Sequence, residues 1–246
     1  MINGIITVRS QSTRLPEKCF LPFGDCNVLE HVIRRAKYFD IDPIVCTTIE
    51  ASDDRIVEIA KNENVRYFRG SVKDKLVRWR DACRDNKIEK FVSIDADDPF
   101  FDGQLSYQSL KLLDESFDLV KHPRQQPNNG YYEGCVGYSI SLEIIEKACE
   151  LKNTKDTEMM WDFIEKVPKV RVSHLEVEND NIEIPIRLTL DYQEDYWLMN
   201  SIVRILGDFP ERKTVIDLFR SNPDLYKINW FRNDDYKAAQ IARKIY

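Results

Sequence analysis

The N-terminal part of the chain alternates short apolar segments with amphipathic segments, and this alternation constrains the fold more than any other feature. Apolar segments at 2–8, 43–48, 65–68 and 90–94 predict strands, and segments at 28–38, 53–62 and 72–85 predict helices, the second with Ser52 as its N-cap. This order predicts an α/β fold with a mostly parallel mixed sheet and helices on both faces. Ligands of such sheets bind beyond the carboxyl ends of the strands.

The alternation becomes less regular after residue 120. The segment 120–135 contains prolines, asparagines and glycine, which predicts a long excursion that can serve as a substrate lid. Further strands are predicted at 135–140, 170–175 and 186–190, and further helices at 142–150, 157–167, 192–206 and 234–245. We find no internal repeat and no linker, so we expect a single domain over residues 1–246 with one substantial core.

Composition excludes several classes of protein. The net charge of -6 disfavours a nucleic-acid surface, so we expect no nucleic-acid partner. No apolar run reaches the ~18 residues of a membrane span, and the N-terminus lacks a signal-peptide pattern, which predicts a cytoplasmic protein without a membrane partner. The six cysteines form no CxxC pair, so we expect reduced thiols and neither a zinc site nor a redox dithiol.

The segment RSQSTRLPEK, residues 9–18, follows the first predicted strand and is rich in hydrogen-bond donors. Guanidinium, ammonium and hydroxyl groups at a strand's carboxyl end suit a polyphosphate, although an ordinary solvated basic turn explains the same composition. The candidate nucleotide-binding residues of this loop are Arg9, Ser10, Ser12, Arg14 and Lys18. The chain lacks the GxxxxGK[ST] and GxGxxG motifs, so neither ATPase nor dehydrogenase chemistry is supported.

Acidic residues follow two predicted strands. Asp95, Asp97 and Asp98 lie in SIDADDP, and crowded carboxylates of this kind favour Mg²⁺ or Mn²⁺. A helix N-cap followed by an acidic turn is the alternative. Asp191 closes RLTLD, where N-capping also explains it, but the two strand ends allow Asp97 and Asp191 to form a two-carboxylate magnesium site.

A third group of polar residues follows the third predicted strand. Ser71, Asp74 and Arg78 can contact a base or ribose, or they can form an N-cap at Ser71 and an i,i+4 pair between Asp74 and Arg78. None of the three histidines has a recognisable serine or cysteine partner, so no hydrolase triad is predicted.

The segment RSQSTRLPEK resembles the RxxSxRLPxK opening of the CMP-sugar synthetases, which activate keto-deoxyoctonate and sialic-type acids. The chain is still more similar to the cytidylyltransferases of the spore-coat polysaccharide type. That similarity runs in order through VLEHVIRRA, DDRIVEIAK, FRGSVKDKLVRW, SIDADDP and RLTLDYQEDYWLM.

The resemblance implies a nucleotide-diphospho-sugar transferase (GT-A-like) fold, CTP as donor and Mg²⁺ as cofactor, for which Mn²⁺ can substitute. Matched by position, the metal ligands are Asp97 and Asp191. For the reaction that this implies, we expect Lys18, Arg14 and Asp97 to be the catalytic residues. By the same match, the triphosphate or base is bound by Arg9, Ser12, Arg14 and Lys18. Asp74 or Arg78 lies near the nucleotide. Two positions depart from the family pattern: Ala96 replaces a glycine, and Met159 stands where relatives tend to carry histidine.

The resemblance implies transfer of CMP to a small-molecule acceptor, and members of the wider family commonly form homodimers. The candidate acceptor-binding residues are Arg124, Tyr132, Glu158, Arg171 and His174. Two other functions stay open. Asp95-Ala96-Asp97 spells the DxD motif of glycosyltransferases that use a nucleotide sugar, and the chain can also be a non-catalytic nucleotide-binding regulator.

Overall fold

The computed structural model describes residues 1–122, 134–176 and 184–244. Within them, seven strands form one sheet in the order β5-β4-β1-β6-β8-β7-β9, and two short strands, β2 and β3, form a hairpin. The strands are β1 (Ile2–Thr7), β2 (Pro22–Phe23), β3 (Cys26–Asn27), β4 (Ile41–Thr48), β5 (Arg66–Gly70), β6 (Lys90–Asp95), β7 (Leu119–Lys121), β8 (Ser139–Ser141) and β9 (Val172–His174).

The sheet is mostly parallel, as predicted. β1 lies between β4 and β6 and is parallel to both, with Ile5 opposite Ile44 and Ser93. β4 is also parallel to β5, and β7 is parallel to β9. Of the seven strands described in this sheet, only β8 runs antiparallel to its two neighbours. The carboxyl ends of the other six strands therefore meet at one edge of the sheet, together with the start of β8.

Nine helices are described, and they lie between or after these strands. They are α1 (Val28–Tyr38), α2 (Asp54–Asn62), α3 (Lys75–Asn86), α4 (Gly103–Ser116), α5 (Leu142–Leu151), α6 (Trp161–Ile164), α7 (Gln193–Leu206), α8 (Arg212–Ser221) and α9 (Arg232–Lys244). Asn27 caps α1 through a capping box with Glu30, in which each side chain accepts from the other's backbone N–H at 2.9 Å.

The second helix begins differently from the prediction. Ser52 is not its N-cap, because a short 3-10 turn occupies Ala51–Asp53 and Asp53 precedes the first helical residue. The side chain of Asp53 does not cap the helix either; it points to the loop after β1.

The predictions for the second half of the chain need more correction. The predicted strand at 186–190 is wrong, since only Arg187 forms a bridge there, and the predicted helix at 157–167 is reduced to α6. The strand predicted at 135–140 is shorter and lies later in the chain, as β8; just before it, Gly137 packs closely on β6, where an added Cβ would lie 1.7 Å from the carbonyl oxygen of Ser93. The sequence prediction missed α4, β7 and α8. The lid expected around 120–135 falls mostly on residues 123–133, outside the described residues.

The core has apolar clusters on both faces of the sheet. Ile5 faces a cluster that includes Trp79 of α3, whereas its neighbour Ile6 faces a cluster that includes Val32 of α1, as the two-residue period of a strand requires. A third cluster packs α7 and α8 around Phe23. Complete burial of such side chains stabilises the fold by ~1.5–3 kcal/mol each. The core holds the strands in place, and the carboxyl ends of these strands form the edge at which polar side chains gather.

All six cysteines are free thiols, as expected. Among the helices of the described residues, none combines the length and the apolar character that crossing a membrane requires.

Candidate active site

The loop after β1 is anchored at its start by a buried carboxylate, Asp53. This carboxylate accepts from the backbone N–H and the hydroxyl of Ser10, at 2.8 and 2.7 Å. The hydroxyls of Thr47 and Thr48, at the end of β4, donate to its other oxygen at 2.9 and 2.5 Å. Burial alone would raise the pKa of Asp53, but these hydrogen bonds outweigh it and lower the pKa. Asp53 thus ties the loop to the neighbouring strand as an anion.

Lys18, at the end of the same loop, brings the two predicted metal ligands together. Its ammonium donates to Asp97 at 2.6 Å, to Asp191 at 3.0 Å and to the carbonyl of Leu190 at 2.7 Å. Burial would lower the pKa of Lys18, but the negative charges of the two aspartates outweigh burial and raise it above its ordinary value. The lysine is therefore a cation shared by two carboxylates that lie far apart in the chain.

Asp191 also binds two arginines. Arg14 of the loop donates to one oxygen at 2.5 Å, and buried Arg187 donates to the other at 3.3 Å. Burial would raise the pKa of Asp191, but the charges of Lys18 and Arg14 hold it well below its usual range. Asp191 does not cap α7, because the N-cap of this helix is Tyr192; Asp195 in the first turn accepts from the backbone N–H groups of Asp191 and Tyr192. Of the two explanations for Asp191 in the sequence, N-capping is wrong.

The acids after β6 form a compact cluster. Carboxylate oxygens of Asp95, Asp97 and Asp98 lie within 4.8 Å of one another, and Asp95 accepts from Lys75 at 3.3 Å. Loss of solvation raises the pKa of Asp98 well above its usual value, and the charges of Asp97 and Asp95 add to this effect. The cluster therefore carries unfavourable negative charge at the sheet edge.

A cleft of about 440 Å³ opens above these groups. Its polar lining comes mainly from the β1 loop and the strand-end acids: Arg9, Ser12, Thr13, Arg14, Lys18, Asp95, Asp97, Asp98 and Asp191. Its other lining includes Met159, Trp161, Tyr138, His122 and Tyr236. The basic loop and the acids predicted from the sequence therefore share one cleft at the carboxyl edge of the sheet.

The family model for cytidylyltransferases matches residues 3–196, which include the loop, Asp97 and Asp191. The chain belongs to the cytidylyltransferase family. It is therefore an enzyme, a nucleotidyltransferase with CTP as donor, as predicted, and the alternative of a non-catalytic regulator is set aside.

This cytidylyltransferase is similar to other proteins over most of its length. It is 31% identical to an uncharacterized protein of Methanocaldococcus jannaschii over 93% of this chain and 94% of that one. It is 26% identical to the spore coat polysaccharide biosynthesis protein SpsF of Bacillus subtilis, over 89% and 94%. A solved cytidylyltransferase from Leptospira borgpetersenii superposes with a TM-score of 0.79 at 27% identity, over 92% and 96%.

Of the three polar residues predicted after β5, only Arg78 lines the cleft of this cytidylyltransferase. The hydroxyl of Ser71 accepts from the backbone N–H of Asp74 at 3.1 Å. Asp74 caps α3 through the N–H of Val77 and accepts from the hydroxyl of Thr157 at 2.9 Å. Arg78 donates to the carbonyl of Ser71 at 2.7 Å, so the predicted cap at Ser71 and the side-chain pair of Asp74 with Arg78 are both wrong.

The candidate acceptor residues separate into three groups. Glu158 lines the cleft and accepts from Arg9 at 3.1 Å. Arg171 pairs with Asp118 on the surface, and His174 donates through Nδ1 to the carbonyl of His122; neither lines the cleft. Arg124 and Tyr132 lie outside the described residues.

The sequence analysis missed the carboxylate that anchors the β1 loop and several residues of the cleft wall. Asp53 reads as a helix residue, and its hydrogen bonds to Ser10 join positions 43 apart. Tyr138 and Trp161 stack with ring centroids 3.4 Å apart, yet no motif connects them. Tyr236 belongs to α9, which the sequence presents only as an amphipathic helix. Aromatic content was the available signal, and it does not distinguish a cleft wall from a core.

Proposed function

We propose that the protein transfers CMP from CTP to a sugar acid or a related small acceptor and releases pyrophosphate. The observation that carries the proposal is the shared ammonium of Lys18, which joins Asp97 and Asp191 in a cleft that Arg9 and Arg14 also line. Cations from one loop thus face carboxylates from two other segments, which is the charge pattern that a triphosphate and its metal ion need.

In the proposed reaction, a hydroxyl oxygen of the acceptor attacks the α-phosphorus of CTP. A new phosphorus–oxygen bond forms, the bond from this phosphorus to the oxygen bridging the β-phosphate breaks, and pyrophosphate leaves. The hydroxyl proton passes to water. No covalent enzyme intermediate is needed, because positioning and neutralisation of charge supply most of the catalysis in such transfers.

The loop after β1 supplies the phosphate ligands in this proposal. Lys18 and Arg14 neutralise the charge that develops on the leaving pyrophosphate, and the hydroxyl of Ser12 and the guanidinium of Arg9 bind further phosphate oxygens. Ser10 contributes indirectly, because its side chain holds the loop on Asp53. Arg78 faces the same cleft and is positioned to contact the nucleoside.

The residues present fit a divalent cation. Asp97 and Asp191 already bind one shared cation, the ammonium of Lys18, and carboxylate oxygens are the ligands that Mg²⁺ and Mn²⁺ prefer. Asp98 lies beside them, and its pKa is raised by burial and by the neighbouring acids. A positive charge nearby lowers the pKa of a carboxyl group. A bound Mg²⁺ supplies charge neutralisation at the phosphate oxygens.

The aromatic part of the cleft wall supports a ring-shaped acceptor. Tyr138 and Trp161 stack on each other in the cleft lining, beside Met159 and His122, and the apolar aromatic surface of this pair suits the C–H face of a sugar. The Bacillus relative named for spore coat polysaccharide biosynthesis supports a role in the synthesis of surface polysaccharides or glycoconjugates.

A pyrophosphate-release screen tests this proposal. The purified protein is incubated with MgCl₂, each of the four ribonucleoside triphosphates, and sugar acids or phosphorylated acceptors, and products are identified by mass spectrometry. We expect pyrophosphate and a CMP-linked product with CTP alone among the triphosphates. Sugar transfer from a nucleotide sugar, without pyrophosphate release, would instead support the glycosyltransferase alternative. Pyrophosphate release from UTP or GTP at equal rates would contradict the base assignment.

A further inference from the structure

The C-terminal helix α9 reaches the cleft, although it lies beyond residues 3–196 that match the family. Its Tyr236 is part of the cleft lining. A segment outside the family match therefore contributes a side chain to the candidate active site, and the contacts around this side chain indicate what it does.

The first turn of α9 is fixed to α7 and to the chain that precedes it. Arg232 donates two hydrogen bonds to Glu194, at 3.0 and 2.9 Å, and buried Asn233 accepts from Arg187 at 3.1 Å. Tyr236 follows these residues by four and three positions, so it lies on the same face of the helix. The anchored turn thus directs the ring of Tyr236 toward the cleft.

Two aromatic rings pack on the guanidinium of Arg14. The centroids of Tyr192 and Tyr236 each lie 5.6 Å from its central carbon, while Asp191 accepts from one nitrogen at 2.5 Å. An aromatic face attracts a cation within about 6 Å. The described contacts engage one nitrogen of the guanidinium, and the remaining donors of the fork suit an anionic ligand.

The same rings also lie near Arg187, at 5.9 and 5.1 Å. Arg14 and Arg187 therefore approach opposite oxygens of Asp191 with the same two tyrosines beside them. Because two guanidiniums repel each other, the electron-rich rings and the shared carboxylate offset that repulsion. Removal of one ring leaves Arg14 with fewer contacts that fix its direction.

We propose that Tyr236 is a positioning residue, whose ring holds the Arg14 guanidinium on Asp191 with its remaining donors toward the triphosphate. The C-terminal helix then completes the nucleotide site. This inference rests on the proposed function, in which Arg14 contacts the triphosphate. The ring is the part of Tyr236 that acts, so phenylalanine substitutes for it and an aliphatic residue does not.

Calorimetric titration with CTP and MgCl₂ tests the inference on the full chain. We expect Tyr236→Leu to weaken CTP binding about fivefold, and Tyr236→Phe to stay within about twofold of the wild type. Lys237→Ala, at an exposed position of the same helix, is the matched control and is expected to bind like the wild type. Equal affinity of Tyr236→Leu and the wild type would overturn the inference. If Tyr236→Leu does not fold, Tyr236→Met replaces it under the same criteria.

A double-mutant cycle with Arg14→Ala separates positioning from a general structural role. In the Arg14→Ala background, Tyr236→Leu is expected to change the dissociation constant of CTP less than about 1.5-fold, because the group it positions is gone. A full fivefold effect in that background would overturn the inference while leaving the proposed function intact. Absence of CTP binding by the wild type would contradict the proposed function, and the inference with it.

Discussion

Arg9 and Glu158 meet across the cleft, with 3.1 Å between a guanidinium nitrogen and a carboxylate oxygen that are 149 positions apart in the chain. Both side chains are 39% exposed, so the pair is worth ~0–1 kcal/mol. The pair occupies a guanidinium that we expect to bind the triphosphate. Glu158→Gln removes this competitor, and we expect it to strengthen CTP binding by up to about fivefold, measured by titration calorimetry.

The matched control for this change is Glu165→Gln, which removes an exposed carboxylate that pairs with Lys121 away from the cleft. We expect it to leave CTP binding unchanged. Weaker CTP binding by Glu158→Gln would show that Glu158 itself contacts the nucleotide and does not compete with it for Arg9.

Asp97→Asn tests the metal assignment. The substitution keeps the shape of the side chain but removes a charge beside Lys18, and we expect pyrophosphate release to fall at least about a hundredfold. The thermal midpoint is expected to stay near that of the wild type. Asp114→Asn, which alters a surface carboxylate paired with Lys90, is the control and keeps full activity. Normal turnover of Asp97→Asn at every MgCl₂ concentration would exclude this carboxylate as a ligand.

Asp98→Asn is expected to stabilise the protein at alkaline pH in the absence of divalent ions. Burial and the neighbouring acids raise the pKa of Asp98, so the folded state holds this proton more tightly than the unfolded state. The contribution of the protonated Asp98 carboxyl to stability is complete below about pH 4, near the ordinary pKa of aspartate. It is lost as the pH rises through the pKa of Asp98 in the folded state. Asparagine does not titrate.

Thermal midpoints of Asp98→Asn and the wild type, measured from about pH 4 to pH 8 with EDTA, check this prediction. We expect the two to agree at the acidic end and the variant to melt higher at the alkaline end. A variant that melts lower at pH 8 would show that the charge of Asp98 stabilises the fold.

Lys152→Met is expected to destabilise the fold strongly. Lys152 and Asp74 pair at 2.5 Å with 8% and 6% of their side chains exposed, so the substitution leaves a buried carboxylate without its cation. Loss of one partner of a buried pair costs ~3–5 kcal/mol. Urea unfolding measures the free energy, with Lys90→Met of an exposed pair as control, expected within ~1 kcal/mol of the wild type. A cost as small as the control's would show that the pair is dispensable.

The N-terminal half of the fold follows from local patterns. The continuous apolar segment of β1 matches a strand buried on both faces, and the apolar period of α1 matches one face of a helix, so their positions and the sheet type are predictable. The convergence of Lys18 and Asp97 also follows, because carboxyl ends of parallel strands share an edge. Here local sequence and tertiary structure agree.

Elsewhere the tertiary structure overrides the local pattern. The apolar run at 186–190 reads as a strand, but its Leu190 N–H bonds instead to the carbonyl of Asp97, at 2.7 Å, at the end of β6. Asp74 and Arg78 have the spacing of a helical ion pair, yet Asp74 binds Thr157 and Lys152, which only the folded chain brings near. Contacts between distant positions of this kind leave no periodic signal.

The reversal of β8 determines which positions can be changed to alter the substrate. Because β8 is antiparallel to β6, the residues just before β8 line the cleft. In β6, by contrast, the residues just after the strand line the cleft. Redesign at Tyr138 can therefore alter the cleft wall that we propose for the acceptor, without changing the end of β6 that precedes Asp97. Gly137 must stay in any such redesign, because no side chain fits against Ser93. The scaffold thus separates a replaceable surface from the fixed chemistry of β1 and β6.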